Sequence, residues 1–469
     1  MVAKKGLKTV SHYYYVYHFN IIMKKFVFII IGIFILAGLF FGWSVFLRQA
    51  GSDFTDYNSG ALSKYDKVYQ LTGNEVTDSA ASENVRKNSQ WRGDHRNGIY
   101  DETGLLKEWA ADGPKLLWKY EGLGDGFTSA AIANGNIYIT GLIDDILVLY
   151  VFDLKSGQLL RQKGVGKERD SKYPGPRSTV CVNDGKLYIY NALGMLYCLD
   201  EATLNAVWRK DLFKDFDGQG IMWGVTESAL IVDDKIFATP GGAKNNMVAM
   251  NKNTGALIWS SPGEGTPSSY CSPQFIGDQS VPMVVTHTRE HIIAFNADTG
   301  EKLWSVPQTN SQNIHPNTPV YSDGMIFSTT GYNGGSMLLR LKEGGKAVEQ
   351  VWKNDELDTQ IGGAVKAGDY IYASGHQNRY WFCIDWKTGE TRYKVKDMAP
   401  CNVIYADGML YCYSERGTMN LVKPNPEKFE LVSSFQVTLG TDQHWAHPVI
   451  QDGVMYLRHG NALMAYQVK

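Results

Sequence analysis

The sequence predicts an all-β fold, an eight-bladed β-propeller of four-stranded blades, preceded by one N-terminal transmembrane helix. Three observations predict it. A turn-and-strand element built on Asp-Gly or its equivalent returns along the second three-quarters of the chain. A second element, a Thr-Gly turn leading to a tryptophan, alternates with it. Upstream of both lies a run of 22 residues without a charge, Phe26 to Leu47.

The first element reads Asn134-Gly135-Asn136-Ile137-Tyr138, then Asp184-Gly185-Lys186-Leu187-Tyr188, Asp233-Asp234-Lys235-Ile236-Phe237 and Asp323-Gly324-Met325-Ile326-Phe327. It continues as Gly368-Asp369-Tyr370-Ile371-Tyr372, Asp407-Gly408-Met409-Leu410-Tyr411 and Asp452-Gly453-Val454-Met455-Tyr456, with a weaker copy at Gly277-Asp278. Asp-Gly between alternating apolar residues is the strongest short-range hairpin signal, because both turn residues must take positive φ. The second element runs from Asn251 through Thr254-Gly255 to Trp259, and from Asn296 through Thr299-Gly300 to Trp304. Degenerate copies end at Trp208 and Trp352, with Tyr393 and Arg161 standing in the tryptophan place elsewhere. Each unit thus supplies four strands over roughly 40 to 50 residues, the size of a propeller blade. The last unit lacks its outer strand, and Lys115 to Lys119 supplies a candidate from the other end of the domain, which removes an exposed edge. Trp91-Arg92-Gly93-Asp94, with Arg96 and Gly98, is expected to pack around that closure.

The apolar run is long enough to cross a bilayer as a helix. Lys24 and Lys25 precede it and only Arg48 follows closely, which places the N-terminus in the cytoplasm and the propeller outside. A cleavable signal peptide is the alternative, with an apolar core longer than usual. Met23-Lys24-Lys25 resembles a natural start, which would make residues 1–22 an over-extended reading frame. The expected organisation is a cytoplasmic N-terminus at 1–25, a membrane helix or signal anchor at 26–47, a flexible linker at 48–89 and the propeller at 90–469.

Net charge is −2 and no basic cluster stands out, so there is no electrostatic footprint for nucleic acid. The six cysteines form no CxxC or CxxCH. Cys401 and Cys412 flank one hairpin and admit a pairing, while buried thiols behaving as small apolar groups is the plainer reading.

These units resemble the pyrroloquinoline-quinone (PQQ) repeat family, the quinoprotein alcohol dehydrogenase-like propellers, on the Asp/Asn-x-x-Thr-Gly-x-x-x-Trp units ending at Trp259 and Trp304 and on the Asp-Gly hairpins. The Trp91-Arg92-Gly93 segment resembles that of PQQ-binding-like β-propeller repeat proteins. The resemblance covers about four-fifths of the chain. It implies that each motif tryptophan docks on a neighbouring blade. The dehydrogenases of the family hold PQQ and calcium with an Asp as base, and no calcium set or catalytic Asp can be matched here residue by residue. The chain is also similar to the outer-membrane assembly factor propeller, a non-catalytic member that binds a partner protein.

Loops entering each inner strand, and loops joining second and third strands, are expected to share one face. They bring Arg177, Trp223, Tyr270, His287, Arg289, His315 and Asn317 together with His376, Arg379, Arg416, His444, Trp445, His447 and Arg458. Six of the ten histidines fall there, His459 among them. A mouth lined by Arg, His, Trp and Tyr suits an anionic ligand, a sugar or an acidic peptide loop. An imidazole metal site built on His444 and His447 has no fixed spacing behind it, and no metal is assigned. The expected function is a membrane-anchored, extracytoplasmic (periplasmic or outer) binding and scaffold module for an envelope protein or a glycan, without catalysis and without an assigned cofactor. The alternative is a PQQ- and calcium-dependent dehydrogenase of alcohols or sugars, in which Arg177, Arg379 or Arg458 would hold the quinone carboxylates.

Overall fold

The computed structural model describes residues 62–69 and 88–469, and within them eight sheets, antiparallel but for one added parallel strand, succeed one another along the chain. Seven blades are continuous in sequence, at 131–167, 181–211, 230–261, 274–307, 320–354, 365–395 and 401–436. In the eighth, the strands of 449–467 are completed by Leu116–Glu121, whose Trp118 lies opposite Ala465. The predicted ring closure is therefore present. The predicted membrane span falls outside the described residues. Among those described, no helix is long and apolar enough to cross a membrane.

The repeats explain the ring. Asn134 and Gly135 have φ of 51° and 74°, and Asp184 and Gly185 have 48° and 71°, the two left-handed residues that a tight hairpin turn demands. At the second element, the Asn251 and Asn296 side chains accept from the Thr254 and Thr299 amides and close the turn. The glycine that follows leaves room for a tryptophan of the preceding blade. A Cβ at Gly255 would lie 2.9 Å from the Trp208 ring, and one at Gly300 would lie 2.5 Å from Trp259. Each indole then donates across the seam: Trp208 to the Lys252 carbonyl at 2.9 Å, Trp259 to Ala297 at 3.1 Å, Trp352 to Trp386 at 2.9 Å. Arg161, in the tryptophan place, donates instead to the Glu201 and Ala202 carbonyls of the next blade. Trp118 packs over Gly157 at the seam between the eighth and first blades, as Trp208 and Trp259 do over Gly255 and Gly300.

Two segments depart from expectation. Residues 62–69, assigned to the flexible linker, dock on the first blade. Lys67–Val68 pairs with its outer strand as a fifth strand, and Tyr65 is buried with its hydroxyl on Asp144. Lys163 pairs with Asp66 at 2.6 Å. An outer strand with unpaired backbone groups is open to such an addition, and the polar composition of the segment hides it.

The second is 88–100, which does more than pack at the closure. It runs among the inner strands of the ring. Ile99–Tyr100 pairs in parallel with the inner strand of the seventh blade. The Asn88 and Ser89 carbonyls accept from Ile132 and Val182 of the first and second blades, and the Asn88 amide reaches Ile450 of the eighth. Arg96 donates to the Ser228 and Ala229 carbonyls beside the third blade, Gln274 of the fourth donates to the His95 carbonyl, and Trp91 donates to Thr318 beside the fifth. Arg92 donates to the Gly362 and Ala364 carbonyls before the sixth. Inner strands have backbone groups facing the axis, and these must be paired or hydrated. The segment 88–100 meets backbone groups in or just before the inner strands of six blades, and side chains of the fourth and fifth.

All six cysteines are buried free thiols.

Candidate functional site

Above the 88–100 segment the loops enclose a cavity of about 630 Å³. Trp91 and Arg92 of the segment itself line it. The guanidinium of Arg92 is spent on the carbonyls of Asn97, Gly362 and Ala364. Burial lowers its pKa to about 10.

One wall is aromatic and comes from three long interblade loops. The loop 168–180 supplies Lys172, Tyr173 and Arg177, the loop 212–229 supplies Trp223, and the loop 437–448 supplies Trp445. With Phe127 the rings form a chain: Phe127 to Trp445 at 4.9 Å, Trp445 to Tyr173 at 5.0 Å, Tyr173 to Trp223 at 5.7 Å between centroids. The Lys172 ammonium sits over the Tyr173 and Trp223 rings at 5.3 and 5.8 Å, and the Arg177 guanidinium lies 5.7 Å from Phe127. Arg177 donates to the Tyr173 and Gly175 carbonyls, which fixes its own loop. Burial lowers its pKa to about 10.

The facing wall is polar. Asp358 organises it, accepting from the amides of Asn333, His376 and Gln377 at 3.1, 2.9 and 3.1 Å. Asn317 bridges the Thr359 carbonyl and the Gly363 amide. The Tyr332 hydroxyl accepts from Gln360 at 3.0 Å, and its ring meets His376 edge-on. Arg379 pairs with Glu415. Burial lowers the His376 pKa, and Nδ1 of that ring already accepts the Tyr332 amide.

Of the fourteen residues assigned to the face from sequence, eight line this cavity: Arg177, Trp223, Tyr270, Asn317, His376, Arg379, Trp445 and His447. The other six lie elsewhere. His287 is buried, bonded to Ser328 and stacked on His315 at 5.1 Å, and the His315 ring is committed to the Arg289 carbonyl. His444 stacks on His459 at 3.6 Å and shares a hydrogen bond with Tyr413. Arg416 is exposed. Arg458 faces inward: it is 2% exposed and donates to Thr128, the Thr140 carbonyl and Gly460, so it latches the eighth blade to the first. It therefore cannot hold the carboxylates of a ligand in the mouth. Sequence reasoning missed Phe127, Lys172, Tyr173 and Tyr332 as lining residues. The aromatic-basic stretch Lys172-Tyr173, set between two strands, is the signal that was available.

PQQ with calcium can be tested against this donor set. The ring chain with Lys172 and Arg177 suits a planar polycarboxylate. Among the described residues, no three carboxylate, imidazole or thiol groups converge as cation ligands. The residues present fit the quinone and not its calcium.

Comparison with known proteins agrees with the ring. A family profile described as outer membrane protein assembly factor BamB matches residues 98–274 and 194–425. A quinoprotein ethanol dehydrogenase from Pseudomonas aeruginosa is 32% identical over 90 residues, 19% of this chain and 14% of that protein. The chain thus matches only a small part of that relative. Among solved structures, BamB from Moraxella catarrhalis superposes with a TM-score of 0.54 at 13% identity, over 76% of this chain and 99% of its own. The quinohemoprotein alcohol dehydrogenase from Comamonas testosteroni gives 0.58 at 11% identity, over 83% and 81%. At such identities the two structures speak for the fold alone.

Proposed function

This chain belongs to the outer membrane protein assembly factor BamB family, and from that premise we propose that it is a binding and scaffold module of the cell envelope, holding a partner protein or a glycan in its funnel without chemistry. The observation that carries the reading is the state of the ionisable groups in the cavity. Glu415 is paired with Arg379, and the His376 ring accepts a backbone amide. His447 is buried beside Arg92 and held well below the usual histidine pKa by burial first and that cation second. Glu415 and His376 are committed to partners and His447 is buried neutral beside a cation, so none is left poised as an acid or base. What remains presented is aromatic surface and the Lys172 ammonium, which is recognition chemistry. Arg177, itself tied to its own loop's carbonyls, adds positive charge beside it. The family description and the charge order around Phe26–Leu47 support placement outside the cytoplasm on a membrane anchor.

Photo-cross-linkers placed at Trp223 and at Leu257, an exposed outer-strand position of the third blade, test this in the native envelope. Discrete adducts from position 223 and none from 257 are expected. Equal labelling from both, or turnover of an alcohol or sugar with an artificial electron acceptor, sinks the reading.

The second reading, a PQQ-dependent dehydrogenase, is favoured by the match of the aromatic-cationic wall to a planar polycarboxylate. If the quinone bound, it would supply the hydride-accepting chemistry, with Lys172 and Arg177 on its carboxylates. A saturable rise in Tm with PQQ plus calcium, lost in Arg177→Ala, would promote it. The binding reading expects no such rise.

A further inference from the structure

Three tyrosines of the funnel have backbones that tyrosine rarely adopts. Tyr173, Tyr270 and Tyr332 have φ of 59°, 69° and 55°, and all three line the one cavity. The left-handed region is costly for a bulky side chain, about 1–2 kcal/mol each. Turn chemistry normally gives such positions to Gly, Asn or Asp, as it does in this chain's own hairpins. Strained residues gathered at one concavity point to a ligand site.

The cavity also says what kind of ligand. Its volume, about 630 Å³, lies in the range of small-ligand pockets and not of flat protein interfaces. An extended peptide binding through its backbone needs unpaired strand edges. Around the axis the edges of the first, second and seventh blades are already taken by 88–100, which holds the Ile132 and Val182 amides and pairs with the seventh blade. Recognition is left to side chains, namely ring faces on one wall and the amides Gln360 and Gln377 on the other. Among the described residues Lys172 forms no salt bridge, Arg177 is bonded to loop carbonyls with the buried Glu168 nearby, and the one carboxylate lining the cavity, Glu415, is neutralised by Arg379. The site is complementary to negative charge.

We propose that the funnel binds a short acidic saccharide, its sugar faces on Tyr173, Tyr270, Tyr332 and the tryptophans, and its carboxylates on Lys172 and Arg177. This rests on the binding reading above and names its ligand class.

Calorimetric titration of the full-length chain with trigalacturonate and trimannuronate tests it, with neutral maltotriose and a hexaglutamate peptide as contrasts. At least one acidic trisaccharide should bind saturably and at least tenfold more tightly than maltotriose. Lys172→Gln should erase that preference. Tyr270→Asn and Tyr332→Asn should each weaken binding tenfold or more while Tm holds or rises, because asparagine relieves the left-handed backbone. A fall in Tm in both asparagine variants with unchanged affinity would mean that the rings are structural, and would overturn the proposal. Binding of hexaglutamate with no saccharide binding would overturn the ligand class while leaving a binding funnel. Silence from every probe, with cross-links from Trp223 no stronger than from Leu257, would overturn both readings together.

Discussion

Single residues in this ring do work that their type alone does not announce. Trp259 fills the seam with its ring and closes it with its N–H on the Ala297 carbonyl. Trp259→Phe keeps most of the ring and leaves that buried carbonyl unpaired, so a loss of about 1–3 kcal/mol is expected, read as a drop of several degrees in Tm. Glu227 is a second case. It is 4% exposed, its Oε2 accepts the Thr239 amide, and burial pushes its pKa up to about 8 against a weaker opposing pull from Thr239 and Arg96. A carboxyl whose folded pKa is raised stays protonated while the unfolded chain ionises. Stability therefore falls as pH rises from the ordinary carboxylate range to about 8, and levels off above it. Buried neutral histidines such as His287 act in the opposite sense, but only below about pH 6.5. Between pH 6.5 and 8 a falling Tm is expected; Glu168, which burial raises to about 7, contributes to its lower part, and Glu227→Gln should flatten the part between about 7 and 8. A slope identical in the variant would show that Glu227 is ionised in the fold. The seam role of Trp259 follows from its repeat, whereas that of Glu227 could not be read from sequence, since it sits in a Thr-Glu-Ser stretch that resembles any polar loop.

At the level of elements, hairpins and Thr-Gly turns were legible because turn chemistry is local: positive φ at two consecutive residues leaves few side-chain choices. The docking of 62–69 was not, because its pairing partner, the outer strand of the first blade, lies some 95 residues downstream. Gly164 is the hinge of that contact, for a Cβ there would lie 2.7 Å from the Leu62 carbonyl oxygen. Gly164→Ala should free the segment without harming the blade, which limited proteolysis would show as new cleavage near 62–69 with Tm little changed. The funnel was half legible for a related reason. Loops before inner strands could be placed from the repeat, which recovered Trp223, Tyr270 and Trp445. The same rule could not tell loop residues that point into the mouth from those, like His287 and His315, that turn into the ring and bond there.

Over the whole molecule, the eighth seam decides whether the ring stays shut. Arg458 spans it with donors to Thr128, Thr140 and Gly460, and burial lowers its pKa to about 9. Arg458→Met strands those acceptors in the interior, and a loss of about 3 kcal/mol or more is expected by thermal unfolding. Arg416→Met, at an exposed position, should change nothing measurable. Equal behaviour of the two variants would remove the latch. The segment 88–100 adds a constraint of another kind, on timing. Asn88 bonds to Ile450 across 362 positions of chain, and Ile99 pairs with Tyr405. A ribosome makes the hub first and its last partners more than three hundred residues later. Until then the tryptophan and two arginines of the segment have no complete socket. Contacts so distant in sequence fold slowly and invite misassociation. The newborn chain is thus expected to depend on a holding chaperone until its final blade has emerged.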